Sequence, residues 1–328
     1  MHTQIMAELS LYIKKSEDGN FSFNYDFKQT WHHKFNMQGV KPEHVYIKNF
    51  MDRRNEKNAD LQLSLLKFIL KVCFATENQI KSYLSSQGFS LEDIDKTLEM
   101  FLHQRIINMF IISKYPLNEI PEDALKCYSL DFGGKYILSH YGTEDVLSWT
   151  STNAVRGVEY ITKYLTTTQF YLALLNSVPE NIRYFESFAN FNIGKRDVQT
   201  NAKFEIMSGH TPRGFILEVV RKYDIPSGIQ KKSEKLNVLM SEGYIEKYFS
   251  INPVVILLAE NDKMALEVAD IYYRNTNSTQ FRLLTDIRIK NGFDDKSFMK
   301  YDPNKKTLII VKSSLFLPKI INDLEESE

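Results

Sequence analysis

Long apolar runs are missing from this chain. The longest, Pro253 to Ala259, is too short to cross a bilayer, and the opening MHTQIMAELSLYIKK lacks a basic leader followed by an apolar stretch and a cleavage site. The expectation is a cytoplasmic protein with no membrane partner. A net charge is missing too: 41 Lys plus Arg balance 41 Asp plus Glu, so no global field draws the chain towards nucleic acid, and any such surface must be local. Cysteine is scarce. Cys73 and Cys127 stand in apolar surroundings, in a predicted helix and a predicted strand, without the paired spacing of a zinc site, and read as reduced thiols. The pair His32-His33 has no second ligand cluster at a recognisable spacing, so no metal site is expected there. There is no phosphate-binding Gly-rich loop, no nucleophile elbow, no His-Glu-x-x-His helix and no dinucleotide fingerprint. Those absences set aside the commonest nucleotide, hydrolase and metalloprotease chemistries. No internal repeat or low-complexity segment is present.

What the chain does have is length and aromatic rings. With 328 residues, 22 Phe and 18 Tyr, it can bury sizeable cores in two or three domains. Residues 1–57 read as a hairpin around Ser16-Glu-Asp-Gly-Asn20, followed by an irregular, mildly basic arm. In 58–142 the apolar spacing becomes helical. Leu63, Leu66, Ile69, Leu70 and Cys73 mark one helix, Thr76 with Gln79 a capping box opening a second, and Ser90 with Asp93 the start of a third. Two β-rich runs, 105–112 and 126–130, and a short helix from Lys135 complete the order of a winged helix-turn-helix domain. If the third helix enters a major groove, the contacts are Gln79, Lys81, Ser82, Lys96, Gln104 and Arg105. Glu92, Asp93, Asp95 and Glu99 oppose this, because carboxylates facing phosphates weaken binding. A protein-docking role for that helix is the competing expectation.

Residues 143–153 read as a linker, and 154–290 as an α/β domain with a mixed sheet: a long helix to Ser177, a strand from Ile182, strands 202–207 and 213–220, a helix from Gly228, strand 254–259, a helix from Lys263 and strand 281–285. Residues 291–328 form a further hairpin and an acidic tail. The order within 154–290 is that of a restriction-endonuclease-like domain. Such a domain holds Mg²⁺ with carboxylates at the start of one central strand and near the end of the next, with a lysine two residues on. Here the three positions are Asn201, Glu218 and Val220. A lone carboxylate holds Mg²⁺ poorly, so the site reads as degenerate, with no catalytic residue and no metal. Glu159 or Glu186 could supply a substitute acid, and Lys231, Lys232 or Lys235 a substitute cation. The plainer expectation for Glu218 is a strand-end carboxylate paired with Arg221 or a helix lysine. Arg221, Lys222, Lys231, Lys232 and Lys235 are expected to leave a basic edge suited to a DNA backbone.

From Ala59 to about Ile287 the chain resembles the replication-relaxation family of plasmid and mobile-element proteins. The resemblance rests on Tyr128-Ser-Leu-Asp-Phe-Gly-Gly-Lys-Tyr-Ile-Leu138, Thr200-Asn-Ala-Lys-Phe-Glu-Ile206, Phe215-Ile-Leu-Glu-Val219 and Lys235-Leu236. It implies a winged helix before an endonuclease-like domain, DNA binding, and a part in plasmid replication or conjugative mobilisation. The expectation is then a non-catalytic binder of double-stranded DNA. It would act as a homodimeric transcriptional regulator or accessory factor, with a replication or mobilisation protein as a further partner and no cofactor. The alternatives are a divergent Mg²⁺-dependent nuclease and a protein-interaction module.

Overall fold

Regular structure begins earlier than the pattern of the basic arm predicts. Strands β1 (Ile13–Lys15) and β2 (Phe21–Phe23) form the expected hairpin, and β3 (Lys28–Trp31) and helix α1 (Glu43–Asp52) follow. Tyr46 and Phe50, four residues apart on α1, are buried against Tyr136 and Tyr141, and that short apolar stripe makes the segment helical. This computed structural model describes residues 40–52, 58–113, 125–143, 146, 149–150, 158–194, 196–241, 243–289 and 292–316, with the backbone of β1, β2 and β3. The side chains of 110–113, 125, 158, 159 and 196 lie outside the description, as do most of the 143–153 linker and the acidic tail. The chain divides into two units, Met1–Gln169 and Phe170–Glu328.

In the first unit, α2 (Ala59–Val72) buries Leu61, Leu65, Leu66, Phe68, Ile69 and Val72, each worth about 1.5–3 kcal/mol relative to exposure. Cys73 ends this helix instead of lying within it, at φ 64°, and the Phe74 N–H donates to the Val72 carbonyl at 2.8 Å. Strand β4 (Ala75–Thr76) leads into α3 (Glu77–Ser86), which opens with the complete capping box of Thr76 and Gln79. Next come α4 (Leu91–His103), capped by Ser90, β5 (Ile107–Ser113), β6 (Leu125–Leu130) and α5 (Phe132–His140). The four-stranded sheet runs β3-β5-β6-β4, all antiparallel. Helix α5 starts three residues earlier than the sequence predicts and takes Gly133 and Gly134 inside it. A Cβ at Gly133 would lie 2.5 Å from the Tyr46 ring, and one at Gly134 2.5 Å from the Ile106 carbonyl, so close packing rather than flexibility places glycine there.

Helix α6 (Val158–Ser177) contains the boundary between the units. It carries buried threonines whose hydroxyls donate back along the helix, Thr166 to the Thr162 carbonyl and Thr168 to that of Tyr164, the Thr168 hydroxyl also lying 2.9 Å from the Phe74 carbonyl after α2. The second unit adds β7 (Ile182–Ser187), β8 (Asn190–Ile193), β9 (Arg196–Gln199), β10 (Ala202–Ser208), β11 (Thr211–Val219), α7 (Ser227–Ser241), β12 (Val254–Ala259), α8 (Asp262–Thr276), β13 (Phe281–Thr285), β14 (Met299–Asp302) and β15 (Thr307–Ile310). Its seven-stranded mixed sheet runs β15-β14-β13-β12-β11-β10-β7. Strands β11, β12 and β13 are parallel and the flanking pairs antiparallel. The predicted C-terminal hairpin is therefore part of the main sheet. Hairpin β8–β9, which the apolar pattern does not separate, forms its own two-stranded sheet and places Phe191 and Val198 in a core with Ile216, Leu236, Leu257 and Val268. Phe170, Phe185, Phe204, Phe215, Phe293 and Phe316 form a second, connected aromatic core.

Candidate functional site

The central hairpin fixes the geometry. Strands β10 and β11 turn at Gly209-His210, with Gly209 at φ +60°, a conformation glycine adopts without cost. From that turn the register runs back to Ala202 opposite Leu217, which brings Asn201 beside Glu218. The Asn201 N–H donates to the Leu217 carbonyl at 3.0 Å, and its side-chain Oδ1 accepts from the Val219 N–H at 2.9 Å. Asn201 thus extends the pairing of the two strands by one rung. Val220 is a core residue, packed in the cluster of Ile229, Leu236 and Val255.

Glu218, 3% exposed, meets Lys232 of α7, whose Nζ lies 3.2 Å from Oε1. The same Nζ donates to the Gln199 carbonyl. The helix-lysine pairing expected for Glu218 is what the fold contains, while the Arg221 guanidinium donates to Asp286. Burial, and then the negative charge of Glu218, push the Tyr272 hydroxyl well above the ordinary tyrosine range. Glu186 sits on the same hairpin network but is tied to Lys203 at 2.7 Å, and the Glu159 side chain lies outside the described residues. Among the described residues, no group of three or more His, Cys, Asp or Glu is placed to hold a metal ion. Hard divalent cations want several oxygen ligands. One carboxylate with an ammonium against it does not fit Mg²⁺.

Arg221 corrects the expected basic edge. It has no exposed surface, and its guanidinium donates to both oxygens of Asp286, at 2.6 and 2.9 Å. Asp224 accepts from the Arg221 N–H at 2.8 Å and Glu260 from the Lys222 N–H at 2.9 Å. The ends of β11 and β13 are therefore joined by the buried Arg221–Asp286 pair, with Asp224 and Glu260 accepting from backbone N–H groups beside it. Lys222, Lys231 and Lys235 are exposed and Lys232 is half-buried. Sequence reasoning misses Asp286 and Glu260. A signal for them exists: each is a carboxylate placed directly after an apolar strand, Val254–Ala259 and Phe281–Thr285.

In the first unit the expected DNA contacts divide. Gln79 is fully buried, with Nε2 donating to the Leu165 carbonyl at 2.9 Å, so it is a structural residue rather than a DNA contact. Arg105 donates to Asp131 at 2.7 Å, and Asp131 in turn caps α5. That pair fastens α4 to α5. Lys81 bridges Glu77 and Asp95 at 2.7 and 2.6 Å, and Lys96 meets Glu92 at 2.6 Å. Ser82 and Gln104 are half-buried. The cations near α4 are already neutralised by neighbouring carboxylates, and its exposed positions include Glu92, Asp95 and Glu99.

No family profile and no curated protein matches the chain. Among solved structures it is similar to the restriction endonuclease FokI, with 14% identity and a TM-score of 0.28 over 70% of this chain and 42% of that one. A second structure of FokI, bound to DNA, gives 14% identity and a TM-score of 0.26 over 71% and 43%. The chain thus spans less than half the length of the structures it matches. Among the described residues no helix is long and apolar enough to cross a membrane.

Proposed function

We propose that this chain is a non-catalytic, cytoplasmic DNA-binding protein of a plasmid or mobile element, of the replication-relaxation type. It acts as a homodimeric transcriptional regulator or accessory replication or mobilisation factor. The observation that carries the reading is the state of the hairpin end. Asn201 stands where a first acid belongs and spends its carbonyl on Val219, while Lys232 neutralises the remaining carboxylate, Glu218. Lys231 and Lys235, one turn apart on the same helix, stay exposed beside it. The first unit is read as a winged helix-turn-helix. Its order of α2, β4, α3, α4, β5 and β6, with β6 between β5 and β4, supports that reading. The second unit is read as endonuclease-like on the succession of α6, three antiparallel strands β7, β10 and β11, α7, and β12 parallel to β11.

On this reading the phosphate contacts are Lys222, Lys231 and Lys235. Titrating the full chain with labelled duplex from its own upstream region, over a salt series, tests it. Lys231→Ala/Lys235→Ala should weaken binding and reduce the slope of log K against log salt by about 1.8, roughly 0.9 for each phosphate no longer neutralised. Binding that is insensitive to salt, or a slope unmoved by the double substitution, refutes the reading. Supercoiled plasmid incubated with Mg²⁺ or Mn²⁺ should stay intact. Nicking that is abolished by Glu218→Ala would establish the nuclease alternative instead.

One observation favours a second reading, a protein-interaction module. The cations at α4 are held by Glu77, Asp95 and Glu92, which leaves an acidic exposed face. If the full chain shows no salt-dependent DNA binding but retains a basic partner protein, and Glu92→Lys/Asp95→Lys releases that partner, this reading replaces the first.

A further inference from the structure

Asn108 and Ser129 stand directly opposite each other on the β5–β6 ladder, and both are buried, at 0% and 2% exposure. Cross-strand neighbours have Cβ atoms about 4.5–5.5 Å apart, so the amide and the hydroxyl leave the same face of the sheet side by side. Neither Oδ1 nor Nδ2 of Asn108, nor Oγ of Ser129, has a hydrogen-bonding partner within the protein. Buried polar groups are nearly always paired, and here three unpaired atoms gather on a single rung. We propose that Asn108 and Ser129 form an internal hydration site that holds one water molecule.

The chemistry of the three atoms selects water. Oδ1 needs a donor, Nδ2 needs an acceptor, and the serine hydroxyl can be either. One water closes a ring with the amide, donating to Oδ1 while accepting from Nδ2, and keeps a further hydrogen bond for Oγ. That makes about three bonds, the usual number for a buried water. A metal ion does not fit, because Nδ2 is a donor and no group of three His, Cys, Asp or Glu is so placed among the described residues. An apolar ligand would leave all three atoms unpaired. Asp131 follows β6 with extended backbone, φ −113° and ψ 179°, so the alternation of side chains carries from Ser129 to Asp131 on the same face. Asp131 accepts from Arg105, whose side chain is 13% exposed. The row Ser129, Asp131, Arg105 thus gives the site a polar route towards solvent.

The test uses the full chain in water, with two readouts: magnetic relaxation dispersion of the water oxygen, which counts long-lived internal waters, and water–protein NOEs to the Asn108 side-chain amide. Wild type should show cross-peaks between water and the Asn108 Nδ2 protons, with the sign of a water that tumbles with the protein. Asn108→Leu/Ser129→Ala should lose one long-lived water per chain. It should also melt no lower than wild type, because replacing every polar partner at a site with apolar groups is close to neutral. Ser129→Ala alone should keep the amide but weaken its water cross-peaks, since one anchor is gone. If the double variant does not fold, the wild-type cross-peaks decide: present they support the site, absent they overturn it. A dispersion unchanged in a folded double variant also overturns it, as does a Ser129 hydroxyl proton that contacts Asn108 directly while water does not. Neither readout involves DNA, so failure here is separable from failure of the DNA titration.

Discussion

Asp286→Ala should be among the most damaging single substitutions in the second unit, although it touches neither Glu218 nor the exposed lysines. Arg221 has no exposed surface and its guanidinium donates two hydrogen bonds, at 2.6 and 2.9 Å, to the Asp286 carboxylate. Removing one partner of a buried pair costs about 3–5 kcal/mol, and the nearby negative charge of Glu260 puts the expected cost towards the lower end of that range. Replacing both with apolar residues of similar volume is often neutral or better, so Arg221→Met/Asp286→Leu should recover much of the loss. Tryptophan fluorescence is the wrong probe, because Trp31 and Trp149 both belong to the first unit. Native-state hydrogen exchange of the β11, β12 and β13 amides reads the opening of the correct region. Expected is an acceleration on the order of 10²- to 10⁴-fold in Asp286→Ala, the exchange equivalent of that energy. Acceleration below about tenfold, or a double variant as labile as the single one, would show that Arg221 does not depend on Asp286 and refute the pairing.

Two further predictions concern single hydrogen-bonding groups. Asn201→Ala deprives the buried Val219 N–H of its acceptor and should cost about 1–3 kcal/mol, read as faster exchange at the β10–β11 end and unchanged exchange in the first unit. Glu77→Gln tests pH dependence. Burial raises the Glu77 pKa, but the hydrogen bond and charge of Lys81, with Lys126 and Tyr128, more than offset this and hold it below the ordinary 4.5. A carboxyl depressed on folding stabilises fully above its unfolded pKa, and that contribution is lost as pH falls through the folded value. Wild type should therefore lose stability in the first unit on acidification below about pH 4.5, followed through Trp149, which packs on Phe132. Glu77→Gln should start less stable at neutral pH and show a flatter acid limb, whereas parallel limbs would exclude Glu77 as the titrating group.

Strong periodicity made most elements legible. Strands 254–259 and 281–285 coincide with the apolar runs that predict them, and the Thr76–Gln79 pattern gives the capping box that the fold contains. What escaped the sequence depends on contacts between distant segments. Helix α1 is carried by only two buried rings, Tyr46 and Phe50, which find Tyr136 and Tyr141 some ninety residues away. Gly133 and Gly134 read as a loop because glycine marks turns far more often than close helix packing. At the candidate site the strands 202–207 and 213–220 are expected around a longer turn than the fold contains: β10 and β11 meet at a two-residue turn, Asn201 and Val220 stand just beyond their ends, and Glu218 lies within β11. Sequence reasoning misassigned Arg221 and Gln79, because a charged or amide side chain is usually exposed, and the position of Asp286 directly after an apolar strand marks a buried carboxylate without naming Arg221 as its partner.

The balanced charge of the chain acquires a physical meaning from these pairs. Lys81, Lys96, Arg105, Arg183, Lys203, Arg221 and Lys232 each meet a carboxylate within the fold, so part of its positive charge is committed to internal ion pairs. Helix α7 is where the two uses of lysine separate. Lys232 turns in to Glu218, and Lys231 and Lys235 remain outside. Substituting the inner lysine must therefore act on stability and leave the salt slope of DNA binding to the outer two, whereas substituting the outer pair must act on the slope and spare stability. If all three lysines instead changed binding equally and stability not at all, the Lys232–Glu218 pair would be a surface contact in solution. The distinction between an internal cation and a phosphate-facing one would then not hold.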